Sequence, residues 1–343
     1  MTSQQSMEGK MCSRDNKIDL LRSIGLSLII LAHVSPPSLL FNIRSFDVPL
    51  MVFVSGLTCY EKSIKFSWEY LYRRFSRLVF PVWIFLTIYF VPIVLLRFIG
   101  IDLGLNFRHV WGSYLLLDGI GYVWIIRVFL LIAMITPLLL RINNAMRNQY
   151  VFTLTLSMCL CCYLLITYWG IGTDVSIVSN WLYYIIGYGF LFLLGVRIKG
   201  FSRVGGMVFF GVMLLLFTVQ AFVDVHQIEW TKPIILHIND FKYPPTNVFI
   251  LYGLIMSVVL YAMVYQKERE RLNPIVRFVG CNSIWIYLWH IPFVAVTAKM
   301  DMEWWIRYVV VYVCALVVYN VQRLLLKKLR ATYHYRIFDY LEG

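Results

Sequence analysis

The stretch KIDLLRSIGLSLIILAHVSPP, Lys17 to Pro37, decides the fold. Most of it is Leu, Ile and Ser, the composition of a helix that crosses a bilayer, yet it also holds Asp19, Arg22 and His33. Arg22 and His33 are eleven residues apart. At about 100° per residue, that spacing returns a side chain to within roughly 20° of its starting direction and carries it about 16 Å along the axis. The two side chains therefore share one face. Asp19 lies three residues before Arg22, within reach of it on the same stripe. Ionisable residues inside a span are costly and face a bundle interior or a watery path. The stretch thus predicts a helix with one polar seam, packed among other helices.

The rest of the chain has the same character. Of 343 residues, 60% are hydrophobic and 14% charged, with mean hydropathy +0.72. Soluble domains carry about 25% charged residues. A spanning helix needs about 20 mostly apolar residues. That template fits ten segments: 18–41, 46–62, 78–98, 119–140, 150–169, 178–196, 204–223, 247–265, 275–298 and 303–325. The expectation is an all-α polytopic membrane protein with about ten transmembrane helices. It forms one domain over 1–343, with short tails at about 1–17 and 326–343. Because the first segment carries charge and no small-residue cleavage site follows it, it is expected to be retained and not removed as a signal peptide. The seven cysteines form no metal-spaced pairs, and Cys159, Cys161 and Cys162 sit in an apolar run as small hydrophobes. No metal is expected.

The net charge of +13 has a topological distribution. Lys10, Arg14 and Lys17 precede the first segment, and Lys62, Lys65, Arg73, Arg74 and Arg77 follow the second. Arg141 and Arg147 follow the fourth, Arg197, Lys199 and Arg203 the sixth, and Lys267, Arg269 and Arg271 the eighth. Lys327, Lys328, Arg330 and Arg336 close the chain. The alternate connections hold only Arg44, Arg108, Lys232, Lys242 and Lys299. Lys and Arg crowd cytoplasmic loops, so both termini are expected in the cytoplasm. The charge is then no nucleic-acid footprint. The longest outer connection, about Asp224 to Asn247, contains HINDFKYPPTN, whose prolines and Asn/Asp favour an ordered loop.

Four of the apolar segments carry a polar residue of interest well inside them: His33, Ser55 in FVSG, Arg127 in GYVWIIRVFL and His290 in NSIWIYLWHIP. With the segment ends above, all four lie roughly 12 Å below the outer boundary. A common depth makes one polar chamber geometrically cheap, although rotation about each helix is not fixed by it. Each residue also has a plainer explanation. Arg22 can snorkel to the headgroups as a topology anchor, His33 and His290 can be packing histidines, and Ser55 can be a helix-contact residue. Arg73, Arg74 and Arg77 in YRRFSRL serve as positive-inside charges on that view. Arg127 is too far from either edge to snorkel easily.

Taken in order, these segments resemble the acyltransferase-3 family of integral-membrane O-acyltransferases. DLLRSIGLSLIILAHV is similar to the family's Arg-x10-His first span at Arg22 and His33, and VPLMVFVSGL to its Pro-aromatic-Ser-Gly span, with Met51 where an aromatic is common. YRRFSRLVFP resembles the basic segment before the third span and YVWIIRVFL the Trp-containing fourth. NSIWIYLWHIP resembles a late Ser…Tyr-Leu-x-His segment, and FKYPPT a loop found in many members. The resemblance covers nearly the whole chain.

It implies transfer of an acyl group, most often acetyl, from cytoplasmic acyl-CoA to a hydroxyl of a surface polysaccharide or lipid-linked glycan. Acyl-CoA is then a co-substrate, no cofactor is bound permanently, and the setting is a bacterial cytoplasmic (inner) membrane. With about 18 residues after its last segment, the chain resembles the stand-alone members. On this reading Arg22, with Arg73, Arg74 and Arg77, holds the CoA phosphates, and His33 is general base or acyl carrier. Arg127 stabilises the oxyanion, while Ser55, Asp240, Lys242, Tyr243 and His290 contact the acceptor. The competing class is a proton-coupled small-molecule transporter using the same intramembrane His and Arg residues. Carriers often carry inverted repeats, and none is visible.

Overall fold

The computed structural model describes residues 15–100, 104, 106–117, 119–169, 175, 178–225, 238–266, 272–332 and 340–341. Among them every regular element is helical, apart from one isolated bridge between Lys242 and Pro245. Lys10, Arg14, Lys232, Lys267, Arg269, Arg271 and Arg336, which carry part of the charge argument, lie outside the described residues.

Helix α1 spans Asn16–Ala32 and is opened by Asp15, whose carboxylate accepts from the Lys17 amide at 2.9 Å. It does not run on to residue 41, as the apolar pattern predicts. His33 is its C-cap, Ser35 has φ 56°, and Pro36-Pro37 follow. Proline has no N–H to donate and pushes the preceding residue out of helical conformation. The next helical run belongs to the second span instead. It consists of α2 (Ser38–Ile43), a 3-10 turn (Arg44–Phe46) and α3 (Asp47–Leu57), 20 residues in all.

The remaining helices are α4 (Trp68–Phe98), α5 (Phe107–Tyr114), α6 (Trp124–Ala145), α7 (Gln149–Tyr168), α8 (Tyr183–Arg197, after a π-helical turn at Val178–Leu182), α9 (Arg203–Val225), α10 (Asn247–Tyr265), α11 (Pro274–Cys281), α12 (Ser283–Thr297) and α13 (Trp304–Thr332). The segment expected at 275–298 is therefore two helices, α11 and α12, bent by 89°. Asn282 makes the corner: its amide donates to the Phe278 carbonyl at 2.6 Å and its oxygen accepts from the Tyr319 hydroxyl at 2.8 Å. Gly280 lets α11 cross α1 backbone to backbone, because a Cβ there would sit 2.2 Å from the Asp19 carbonyl oxygen. The final helix runs to Thr332, so the tail begins later than residue 326.

Among the described residues, seven helical runs are long and apolar enough to cross a bilayer, or eight with the α11–α12 pair, against the ten expected. α1 and α8, of 17 and 15 residues, are the shorter ones. Both sit at the centre of the bundle. On α8, residues 187–196 are all buried, as expected of a helix apolar on every side. It packs tightly against α3, where Gly56 faces Gly195. By contrast α13 exposes Val309, Val313, Val317 and Val321, an apolar stripe turned to lipid.

One end of the bundle gathers basic connections. Lys199 Nζ pairs with Asp15 at 3.1 Å, Lys17 Nζ donates to the Tyr265 carbonyl at 3.1 Å, and Arg197 donates to the Arg147 carbonyl. Burial pushes the Asp15 carboxyl up, but hydrogen bonds from Tyr265 and Lys199 outweigh it and hold its pKa below the ordinary value. At the opposite end residues 238–246 fold over the bundle. The Asn239 amide donates to the Asn42 side chain at 3.0 Å, and the Thr246 amide to the Phe241 carbonyl at 2.9 Å.

Candidate active site

A string of cavities follows α1 from the basic end to the opposite end. An open vestibule of about 490 Å³ is bordered by Asp15, Ile18, Arg22, Lys62 and Lys199. A cavity of about 160 Å³ follows, with Arg22, Ser55, Thr58, Arg74 and Arg77 in its wall. Next comes one of about 210 Å³ at Arg22, Leu26, Ile29, Met51 and Ser55. The last holds about 150 Å³ and is bordered by Ile29, His33, Arg44, Asp47, Lys242 and Tyr243. Neighbouring cavities share walls: Arg22 borders three of them, Ser55 joins the middle two, and Ile29, Ile125 and Tyr287 border the last two.

Helix α1 supplies one continuous wall because Asp15, Ile18, Arg22, Leu26, Ile29 and His33 recur at intervals of three and four. The eleven-residue arithmetic for Arg22 and His33 thus describes a lined path. Most of its middle section is apolar, with Leu26, Ile29, Met51, Ile125 and Ile126 around it.

At the far chamber His33 Nδ1 lies 2.9 Å from Nε2 of the fully buried His290, and Nδ1 of His290 faces the Tyr287 carbonyl. The tautomers follow from the partners. A carbonyl oxygen only accepts, so His290 Nδ1 carries a proton. Neutral His290 then offers a lone pair at Nε2, which requires the proton of His33 on Nδ1. The lone pair of His33 is left on Nε2, and among the described residues nothing bonds that atom. Tyr122 packs edge-on against the His33 ring at 4.6 Å, and the Tyr287 hydroxyl donates to the Tyr122 carbonyl. The imidazole is held in one orientation with its basic nitrogen free.

Facing it is a buried cluster of fixed charge. Arg44 pairs with Asp47 at 2.6 Å, and Lys242 Nζ lies 3.5 Å from the other Asp47 oxygen. Burial draws the Lys242 ammonium's pKa down from its ordinary value, while Asp47 pushes it back up. Lys242 also lies over the rings of Trp124 and Tyr243, at 5.3 and 5.6 Å.

At the basic end Arg22 keeps 24% of its side chain exposed and lies 3.7 Å from Asp19, which is fully buried. Cys281 also reaches Asp19, at 3.5 Å. Arg74 and Arg77 of α4 complete a cationic rim around the path.

The structure redistributes several expected residues. His33, His290, Lys242 and Tyr243 come together at the far chamber, and Arg22, Arg74 and Arg77 at the near one. Ser55 joins the near group, not His33. Its span starts at Ser38, so Asp47 lies at the level of His33 and Ser55 about 12 Å beyond it. Arg127 does not border the path. Ile125, Ile126 and Phe129 present that face of α6, while the Arg127 guanidinium lies over Trp181 and Tyr184 at 5.8 and 5.4 Å. Arg73 turns outward to Glu69, and Asp240 is exposed outside the lining. Sequence reading missed Arg44, Asp47 and Trp124. The available signal was Arg44 itself, a cation three residues from Asp47 on a side otherwise poor in Lys and Arg.

Helices with lipid-facing apolar sides, packed around a path that is cationic at its two ends and apolar between them, define an integral membrane protein. The chain belongs to the acyltransferase-3 family: a family model described as an acyltransferase domain matches residues 15–319. It is a membrane acyltransferase. Neither a curated protein nor a solved structure matches it.

Proposed function

We propose that this acyltransferase moves an acyl group, acetyl above all, from cytoplasmic acyl-CoA to a hydroxyl of a surface polysaccharide or lipid-linked glycan, in a bacterial inner membrane. The observation that carries the proposal is the path along α1, with Arg22 at its basic end and the base His33 about 16 Å on. The basic end faces the cytoplasm by the positive-inside rule.

The CoA phosphates sit at Arg22, Arg74 and Arg77, where several guanidinium groups meet anionic oxygens. The pantetheine arm lies along the apolar middle, where Leu26, Ile29 and Ile125 exclude water from the thioester. At the far chamber His33 Nε2 takes the proton of the acceptor hydroxyl as its oxygen attacks the thioester carbonyl. The C–S bond breaks, the CoA sulfur leaves with the electron pair, and the proton on Nε2 passes to it. The products are the ester and free CoA. His290 holds His33 Nδ1 throughout, which keeps the basic lone pair on Nε2.

Two results are expected. Arg22→Ala raises KM for acetyl-CoA by about 10- to 100-fold, the worth of one charge-assisted hydrogen bond, with a smaller change in kcat. Steady-state kinetics with the purified protein in detergent read this directly, and an unchanged KM removes Arg22 from CoA binding. His290→Ala leaves the His33 N–H without its acceptor and costs about 10-fold or more in kcat. His290→Gln, whose side-chain oxygen can accept that N–H, restores part of the loss. Equal rates in the two variants would show that tautomer control is not the role of His290.

The proposal itself is tested by incubating the wild-type protein with labelled acetyl-CoA and glycan from the host surface, and by comparing O-acetyl content in cells with and without the gene. Binding of acetyl-CoA with loss of glycan O-acetyl groups supports it. A protein that neither binds nor cleaves acetyl-CoA overturns the assignment of acetyl-CoA as donor.

A further inference from the structure

We infer that the acceptor is an anionic sugar, whose carboxylate or phosphate is held by Arg44 and Lys242 beside His33. This rests on the acyl-transfer reading of the far chamber and adds the substrate class.

Charge accounting carries the inference. Arg44 and Lys242 both lean on the single carboxylate of Asp47, at 2.6 and 3.5 Å, with side-chain exposures of 2% and 5%. Asp47 is already shared further, since its Oδ1 also accepts the Val48 amide at 2.7 Å. Among the described residues lining the chamber it is the one acid. Two buried cations against one carboxylate leave a surplus of one positive charge. Among the described residues the buried Arg44 Nε, moreover, has no hydrogen-bond partner. A buried charge without compensation is costly, and an anion in the cavity removes that cost.

The walls identify what carries the anion. Trp124 and Tyr243 meet edge to face at 5.1 Å and border the chamber with Phe41. Aromatic faces of this kind cover the C–H faces of a sugar ring, while Asn239 offers an amide. Tyr243 is 55% exposed and Lys242 4%, so the chamber has an open lip and a charged floor. A ring with its charged group on Arg44 and Lys242 presents its hydroxyls to His33 across the same cavity. The surplus charge also favours an oxyanion, but that effect serves neutral and anionic acceptors alike and exists only during reaction.

The two uses separate experimentally. Calorimetric titration of the full chain in detergent uses methyl glucuronoside, methyl galacturonoside and glucose 1-phosphate against methyl glucoside and methyl galactoside, with acetyl-CoA titrated separately. The expected result is binding of at least one anionic sugar about tenfold or more tighter than its neutral counterpart, as for one charge-assisted contact. Uronoside or sugar phosphate as the tighter ligand identifies which anion is held. Lys242→Gln is expected to abolish the preference and Lys242→Arg to keep it. Equal or tighter binding of the neutral sugars overturns the inference, as does failure of every sugar to bind while acetyl-CoA binds. A preference undiminished in Lys242→Gln does so too. Failure of acetyl-CoA to bind instead counts against the acyl-transfer reading.

Discussion

His33→Ala is expected to lower acyl transfer about a thousandfold, within the 10²–10⁴ range of a positioned general base, while the protein still inserts and folds. His33 caps α1 at the chamber and is only partly buried, so its removal opens space without creating a closed cavity. The loss should fall on kcat, because the arginines proposed to hold acyl-CoA lie at the other end of the path. Initial rates of acetyl transfer, with acetyl-CoA affinity measured in parallel, check this. A well-folded His33→Ala protein with full activity would sink the mechanism.

The second large effect is structural. A Cβ on Gly195 would lie 2.0 Å from the Phe53 carbonyl oxygen, and one on Gly56 2.2 Å from the Phe192 carbonyl oxygen. Both partners are backbone, so neither can rotate away. Close approach through small residues is how helices associate where lipid removes the usual hydrophobic drive. Gly195→Val is therefore expected to cost about 3 kcal/mol or more, the upper end of overpacking penalties. It should also displace α3, which carries Met51 and Ser55, with its C-cap Thr58, in the path wall. Thermal unfolding in detergent reads the stability, and acetyl-CoA binding reads the wall. Gly211→Val is the control, since among the described residues nothing lies within 4 Å of a Cβ there. Equal melting behaviour of the two variants would contradict the packing argument.

The sequence was most informative where one helix contained the whole argument. Arg22 and His33 share a backbone, so helical geometry alone placed both on the path. Between helices it gave less. Depth was read from assumed segment ends, and the proline break after His33 moved the start of the second span, which carried Ser55 to the other end of the path. Rotation about α6 turned Arg127 toward Trp181 and Tyr184, because three neighbouring apolar residues took the path side. The α11–α12 corner has no hydropathy signature, since Asn282 interrupts a run that is apolar on both sides. Lys242 joins the local Arg44–Asp47 pair from 195 positions away, a pairing no local pattern encodes.

That Arg22 and His33, the proposed anchor and base, stand on one helix and its C-cap also limits how this enzyme can change. Moving His33 by a single position alters its reach by only 1.5 Å but swings it through about 100°, out of the path and into the packed core. The useful settings are therefore discrete: three or four residues at a time, in steps of about 4.5 to 6 Å. A loop could tune the working distance continuously, whereas α1 offers a short list of lengths. A donor with a carrier arm one or two bonds longer falls between the permitted notches.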